Sequence, residues 1–222
     1  MVVRFGPGKK HVGNYNNSFR FSYESLIALL IFGAFLLPAI SNAKIRNIGI
    51  NSQYKTIKQA LSESSEGDTL IVNGGIYTEG EISIDKRVSL FGVNKPVIDG
   101  RSKEAVITIR ASGTIVRGFT ISNSGKSDIR EIAGIRLEDV QACLIDSNYF
   151  YNNYFAVYLA NSGYCRIQNN RIEGFAKTET SSGNGIHLWK GEYNTILNNH
   201  ISGHRDGIYF EFVKQSSIIG NL

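Results

Sequence analysis

The sequence predicts an all-β fold, a right-handed parallel β-helix in which the chain winds into stacked coils. Two landmarks recur in its second half. A short apolar strand pattern appears at residues 134–137, 156–159, 185–188 and 207–210. An Ile-x-x-Asn pattern follows each copy, at residues 145–148, 167–170, 196–199 and 218–221. Both series keep the same spacings of 22, 29 and 22 residues, and a period in this range is typical of a solenoid.

The local pattern within each copy is that of a strand. Apolar residues alternate with period two, as at Ile186 and Leu188, and the runs are short. Stacking the coils about 4.8 Å apart places the repeated isoleucines in one internal column and the asparagines in another. A buried amide column can bond the coils above and below, and Asn tolerates the left-handed backbone of a bend.

The first coils are degenerate copies of the same unit. Residues 116–121 align with 145–150 and put Phe119 in the Asn column. Residues 68–72 are predicted to start the first strand, and residues 54–64 to form a short helix. Because the open end of a solenoid must be covered, this helix is expected to cap it. We therefore expect a pectate-lyase-like β-helix domain at residues 44–222, truncated at its C-terminal end.

The N-terminus has the pattern of a secretory signal. Basic residues precede an unbroken apolar run, residues 26–37, and small residues follow it up to Ala43. As a helix the run spans about 18 Å, less than the ~30 Å hydrocarbon core. Residues 1–43 are therefore predicted to be a Sec-type signal peptide that directs export to the periplasm. An uncleaved membrane anchor is the alternative.

Charge and composition exclude one class of partner. The formal net charge is +5, but part of it lies in the signal segment, and the rest shows no clustered excess of Lys and Arg. No nucleic-acid partner is therefore expected. The only methionine is Met1, so a thioether copper site is excluded beyond the signal peptide.

The soft or borderline metal donors are few. His187, His200 and His204 are candidate metal ligands, with Asp206 and Glu211 nearby in the alignment. Cys143 and Cys165 are a second candidate pair, because they occupy the same inward position of consecutive coils. That spacing permits a disulfide, a thiolate pair for a soft metal, or two small buried hydrophobic side chains. The histidines could equally be ordinary surface residues.

The two 29-residue spacings are predicted to hold insertions that leave the same corner of the solenoid, near residues 124–131 and 176–182. Insertions on one side of a solenoid often mark a binding face. The strand beside that corner should point aromatic and charged residues outward. The predicted partner surface comprises Tyr158, Trp189, Asp206, Tyr209 and Glu211. Such residues suit a docking or ligand surface, although Tyr and Trp are also common in ordinary strands.

Two stretches, residues 183–189 and 201–213, resemble the NosD family, periplasmic proteins of nitrous oxide reductase maturation. The resemblance extends to residues 75–79 and 97–100, whereas members of the family are about twice as long. It implies a protein that is not an enzyme, binds copper, and assists assembly of the copper–sulfur centre. The implied partners are the membrane subunit and ATPase of an ABC transporter, and nitrous oxide reductase or a copper chaperone.

A second reading of the same features is a polysaccharide-active or carbohydrate-binding β-helix. An enzyme of that class needs paired carboxylates about 5–9.5 Å apart or a cation site beside acidic residues. The sequence pattern places no two neighbouring Asp in an outward column, which favours the maturation factor. A passive binder would use Trp189 and the tyrosines to stack on sugars.

Overall fold

The computed structural model describes residues 42–127, 129–178 and 183–222. The predicted signal peptide lies outside the described residues except for its last two positions. Every paired strand in this part of the chain is parallel to its neighbours, and the coils make about seven turns of a right-handed β-helix. The predicted fold is confirmed. In the described residues no helix is long and apolar enough to cross a membrane.

Three parallel sheets form the walls of the solenoid. Sheet A contains β1 (Ile45–Ile48), β2 (Thr69–Val72), β5 (Ser89–Gly92), β8 (Ile115–Arg117), β11 (Leu144–Asp146), β14 (Arg166–Gln168), β17 (Thr195–Leu197) and β20 (Ser217–Ile219). Sheet B contains β3 (Ile76–Tyr77), β6 (Val97–Asp99), β9 (Thr120–Ser122), β12 (Tyr149–Tyr151), β15 (Arg171–Glu173) and β18 (His200–Ser202). Sheet C contains β4 (Ile82–Ile84), β7 (Ile107–Ile109), β10 (Ala133–Glu138), β13 (Phe155–Ala160), β16 (Ile186–Trp189) and β19 (Ile208–Glu211).

The core is a set of aliphatic columns that run along the axis. Ile145 pairs with Ile167, which pairs with Ile196, and all three are fully buried. On sheet B, Phe150 pairs with Ile172 in the same way. Each coil thus covers the apolar side chains of the next, and burial of this surface is the main stabilising contribution.

The buried asparagine column is the main polar element inside the wall. Asn170 Oδ1 accepts a hydrogen bond from the backbone N–H of Asn148 at 3.0 Å, and Asn170 Nδ2 donates to the carbonyl of Ile145 at 3.0 Å. The bond repeats one coil on, where Asn170 N–H donates to Asn199 Oδ1 at 3.0 Å. The left-handed bend lies one position earlier than predicted, at Ser147 and Asn169, with φ of 55° and 54°. The bend residue faces outward, which leaves the following Asn to turn inward.

The N-terminal end differs from the prediction in two ways. A strand, β1, precedes residues 68–72 and pairs with β2. The helix α1 (Ile57–Ser62) is shorter than residues 54–64, because Thr56 caps it by accepting from the N–H of Gln59 at 3.1 Å. Ile57 and Ala60 are buried in the core, so the helix covers the end of the solenoid as expected.

The longest loops leave the corner between sheets B and C. One joins β9 to β10 and another joins β15 to β16. The next coil turns the same corner at residues 203–207 without an insertion. Residue 128 and residues 179–182 of the two predicted insertions lie outside the described residues. The two longest of these loops therefore lie beside one edge of sheet C.

Candidate functional site

The outer face of sheet C is built from two columns of side chains beside that corner. The strand register pairs Arg136, Tyr158, His187 and Tyr209 in one column, and Glu138, Ala160, Trp189 and Glu211 in the other. Alternate residues of a strand point to opposite faces, and Leu188 between these columns is in the core. We call this surface the sheet C face.

Aromatic rings form a continuous row on the sheet C face. The ring centroids of Tyr158 and His187 are 5.0 Å apart, and those of His187 and Tyr209 are also 5.0 Å apart. Phe155 packs against Tyr158 at 5.4 Å and against His187 at 5.5 Å. These distances are those of favourable aromatic pairs.

A small apolar cluster lies outside the main core and supports this row. It consists of Ala133, Tyr154, Phe155 and Tyr158, with Ala160 and Trp189 packed at its edge. Tyr158 was expected on an exposed surface, but it is only 1% exposed. The correction has a physical cause, since Phe155 covers it from outside the solenoid.

Exposure increases along the row toward the last coils. Tyr209 is 41% exposed, and Trp189 is half-buried with Lys190 Nζ 4.1 Å from its ring centroid. Asp206 is exposed and pairs with Arg205 at 3.1 Å. The aromatic surface that a ligand can reach is therefore centred on Trp189 and Tyr209.

Ion pairs neutralise the charges around the row. Glu138 lies 2.7 Å from Arg136 Nε and 2.8 Å from Arg110 Nε. Arg136 also lies 3.7 Å from Glu131. The positive arginines beside the rings are thus paired with negative carboxylates. This pairing leaves little net electric field to attract a highly charged ligand.

His187 is a nearly buried imidazole between a carboxylate and an amide. Its Nε2 lies 3.6 Å from Glu211 Oε2, and its Nδ1 lies 3.4 Å from the amide nitrogen of Asn184. Burial lowers the pKa of His187, and the charges of Glu211 and Glu131 only partly oppose this effect. Burial and the Glu131 carboxylate raise the pKa of Tyr158. Both side chains are therefore neutral near pH 7.

This burial predicts a pH dependence of stability. Because the pKa of His187 is lower in the folded chain than its ordinary value of 6.5, the unfolded chain binds the proton first as the pH falls. The free energy of unfolding should therefore decrease below pH 6.5 until His187 also protonates in the folded state. In denaturant titrations at pH 7 and pH 5, His187→Gln should show a smaller decrease than the parent chain. The exposed His200→Gln is the control, and an equal decrease in all three would contradict the assignment.

The structure separates the three predicted histidine ligands but places the two predicted cysteine ligands next to each other, with their thiols within hydrogen-bonding reach. His187 is on sheet C, His200 is exposed on sheet B, and His204 is in the loop between β18 and β19. Cys143 and Cys165 are free thiols buried inside the solenoid. In the part of the chain that the structure describes, no three His, Cys, Asp or Glu form a group that could hold a metal ion. The three histidines therefore do not share one site.

Sequence reasoning missed Phe155 and Glu131. Phe155 stands before the repeated apolar pattern, where other copies have Ala133 and Asn184. Glu131 lies in an insertion that has no counterpart in neighbouring coils. The sequence feature that could have identified Phe155 is its position, since it is a large apolar residue at the end of a loop. In a solenoid such a residue can pack against the outer surface of a sheet.

Comparisons with known proteins give a family match and one curated relative. Residues 133–222 match the family described as "Right handed beta helix region". A cell surface glycoprotein of Methanothermus fervidus is 29% identical over 133 residues, which are 59% of this chain and 21% of that protein. The chain thus spans about a fifth of the length of this curated relative.

Two solved structures share the architecture. An alginate lyase from Paenibacillus sp. has a TM-score of 0.61 at 15% identity, covering 80% of this chain and 75% of its own. The catalytic domain of a GH87 α-1,3-glucanase, in complex with nigerose, has a TM-score of 0.57 at 19% identity, covering 78% of this chain and 33% of its own. At such identities the likeness establishes the fold alone.

These findings correct the expectation that the chain is not an enzyme. They support the β-helix fold behind the resemblance to NosD, without the NosD family itself. The expectation that the chain is not an enzyme is wrong as it was drawn, because the solved structures that share its fold are enzymes. The comparisons support the β-helix and a likeness to a cell surface glycoprotein, and the finer resemblance to NosD is not shown by them. The chain is a right-handed parallel β-helix, and the solved structures reported above as similar to it are polysaccharide-active enzymes.

Proposed function

We propose that this chain is a polysaccharide-active β-helix protein that binds an extended, uncharged polysaccharide along the sheet C face. The observation that carries the proposal is the accessible pair of rings, Trp189 and Tyr209, at the exposed end of the aromatic row. Aromatic side chains offer a flat apolar surface with a polar edge, which suits the apolar face and hydroxyl rim of a sugar ring.

The charge pattern supports an uncharged ligand. Arg110, Arg136 and Arg205 each lie within ion-pair distance of a carboxylate. A polyanion would have to compete with these partners, and like-charge contacts with the glutamates would cost binding energy. Sugar hydroxyls can instead bond the paired groups without separating them.

The same face holds groups for acid–base chemistry. Glu211 is partly exposed beside the neutral His187, and Glu131 is close enough to influence the pKa of the same imidazole. Carboxylates on either side of a bound chain are the arrangement that glycoside cleavage requires. The proposal therefore includes cleavage of the bound chain, with Glu211 as the acid–base group to test first.

The proposed setting is outside the cytoplasm, as residues 1–43 predict. The relative named a cell surface glycoprotein is compatible with that setting. The role in nitrous oxide reductase maturation, with copper and an ABC transporter, stays a prediction that these observations do not test.

The proposal is tested by binding and by product formation. We expect the full chain to bind a neutral glucan in affinity electrophoresis, and Trp189→Ala and Tyr209→Ala each to weaken binding roughly ten-fold, equivalent to about 1.4 kcal/mol. Tyr151→Ala is the matched control, since Tyr151 on sheet B is 40% exposed against 41% for Tyr209. Equal loss in the control would overturn the assignment to sheet C.

The cleavage step has its own readout. Release of reducing ends from the bound glucan should be lost in Glu211→Gln while binding remains. Release that is unchanged in Glu211→Gln would remove this residue from the chemistry without affecting the binding site.

A further inference from the structure

A groove lies at a different corner of the solenoid, where sheet A turns into sheet B. Between β5 and β6 the turn holds residues 93–96, whereas between β8 and β9 it holds only residues 118 and 119. The longer turn therefore projects farther from the solenoid axis than the shorter turns of the following coils. A groove of about 710 Å³ lies beside this projecting turn.

The end wall of the groove is Asn94 and Lys95. Both adopt the left-handed backbone, with φ of 61° and 52°, a conformation that is uncommon for residues other than Gly. Two such residues in succession turn the chain sharply. Both side chains line the groove.

The floor beside this wall is bare backbone. A Cβ atom added to Gly92 would lie 2.5 Å from the carbonyl oxygen of Gly118, and one added to Gly118 would lie 2.6 Å from that of Gly92. Only glycine permits this approach of adjacent coils. The absence of side chains at these two positions lowers the surface and gives the groove its depth.

Polar and aromatic side chains form the rest of the lining. Ser147 and Asn169 lie along one side, and Thr120, Tyr149 and Arg171 follow on sheet B. These residues come from three consecutive coils, and Asn94 and Lys95 come from the coil before them. The groove therefore extends about 14 Å along the axis. Ser147 Oγ and Asn169 Nδ2 both donate to Asp146 Oδ1, at 3.1 and 2.9 Å, so the side-chain oxygens of these two residues can accept hydrogen bonds from sugar hydroxyls.

Tyr149 is fixed in place by its neighbours. Its hydroxyl donates to Glu173 Oε2 at 2.5 Å, and the guanidinium of Arg171 lies 5.6 Å from its ring centroid. Burial and the hydrogen bond to Glu173 raise the pKa of Tyr149 to about 12. The ring is thus held protonated and oriented against the groove.

The charge of the groove is positive. Its lining contains Lys95 and Arg171 and no acidic residue. Arg171 is paired with Glu173 at 2.7 Å, while within the described part of the chain Lys95 has no ion-pair partner. This pattern contrasts with the arginines of the sheet C face, each of which is paired with a carboxylate.

We infer that this groove is a second saccharide site, selective for acidic sugars that carry a carboxylate. Lys95 supplies the charge for the carboxylate, Ser147 and Asn169 supply partners for hydroxyls, and Tyr149 supplies an apolar surface. This site lies at the corner between sheets A and B, whereas the proposed glucan site is on sheet C. Each proposal can therefore be refuted without affecting the other.

The test uses a trisaccharide of galacturonic acid with the full chain in isothermal titration. We expect saturable binding that weakens as salt increases, since salt screens a charged contact. Maltotriose, a neutral trisaccharide, should bind this groove at least ten-fold more weakly. Equal binding of the two sugars by Trp189→Ala, in which the proposed glucan site on sheet C is weakened, or binding that does not respond to salt, would overturn the inference.

Variants locate the ligand. Lys95→Gln should weaken binding of the acidic trisaccharide roughly ten-fold, the change expected from loss of a charge-assisted hydrogen bond. The control is Lys103→Gln, because Lys103 is also an exposed lysine and lies between β6 and β7, outside the lining of the groove. Asn169→Ser provides a second variant, also expected to weaken binding, should Lys95→Gln fold poorly. Binding that survives Lys95→Gln and Asn169→Ser but is lost in Trp189→Ala would place the acidic sugar on sheet C and refute the second site.

Discussion

Replacing Asn170 with Ala should destabilise the chain by roughly 3 kcal/mol. Asn170 is 2% exposed, and its side chain bonds the coil on either side. It accepts from the N–H of Asn148 and donates to Asn199 Oδ1 at 2.9 Å and to the carbonyl of Ile145. Alanine would leave these groups buried without that partner, and each unsatisfied group costs about 1–3 kcal/mol.

Urea unfolding at pH 7 measures this loss directly. Asn198→Gly is the matched control, because Asn198 is an exposed asparagine in the bend one coil away, with φ of 54°. Glycine adopts that backbone freely, so the control should change stability by no more than about 0.5 kcal/mol. A loss below about 1 kcal/mol in Asn170→Ala would show that the asparagine column is not a major source of stability.

Replacing Phe155 with Ala should cost about 3 kcal/mol, at the lower end of the range for a buried Phe. Phe155 is 5% exposed and contacts Tyr154, Tyr158 and His187. The lower value is expected because the outer cluster is smaller than the core inside the solenoid. Loss of this ring would also remove a packing contact of His187, so binding of a neutral glucan should weaken as well.

Phe175→Ala is the control for this second change. Phe175 is 53% exposed and packs against Tyr151 on sheet B, so its removal should change stability by no more than about 0.5 kcal/mol. Phe155→Leu should retain most of the stability of the parent chain, because it keeps much of the apolar volume. Equal losses in Phe155→Ala and Phe175→Ala would show that the outer cluster is not packed as described.

The regular part of the fold could be predicted because it depends on side chains that repeat. The isoleucine and asparagine columns occur at fixed offsets, and the strand pairing reproduces them, as in Ile145 with Ile167. Strand β1 could not be predicted in this way, since residues 45–48 lack a copy of the same pattern. Its place follows from tertiary contacts, including the pairing of Arg46 with Asp68 at 2.9 Å.

The candidate site was less predictable for a different reason. Alternation along β13 correctly points Tyr158 away from the core, but it carries no information on what covers the outer surface. The sequence also gives no measure of how far apart His187 and His200 lie around the coil, since they belong to different walls. Sites that combine several columns with a loop require the folded chain.

The register of the coils has a consequence for the history of such proteins. In the last coils equivalent positions recur 22 or 29 residues apart along the chain, and each coil contacts mainly its two neighbours. A recombination event that adds or removes one complete unit would therefore join surfaces that already match. Genes of this kind can change length in whole units, and the number of binding positions along a wall can change with it, without a new fold having to arise.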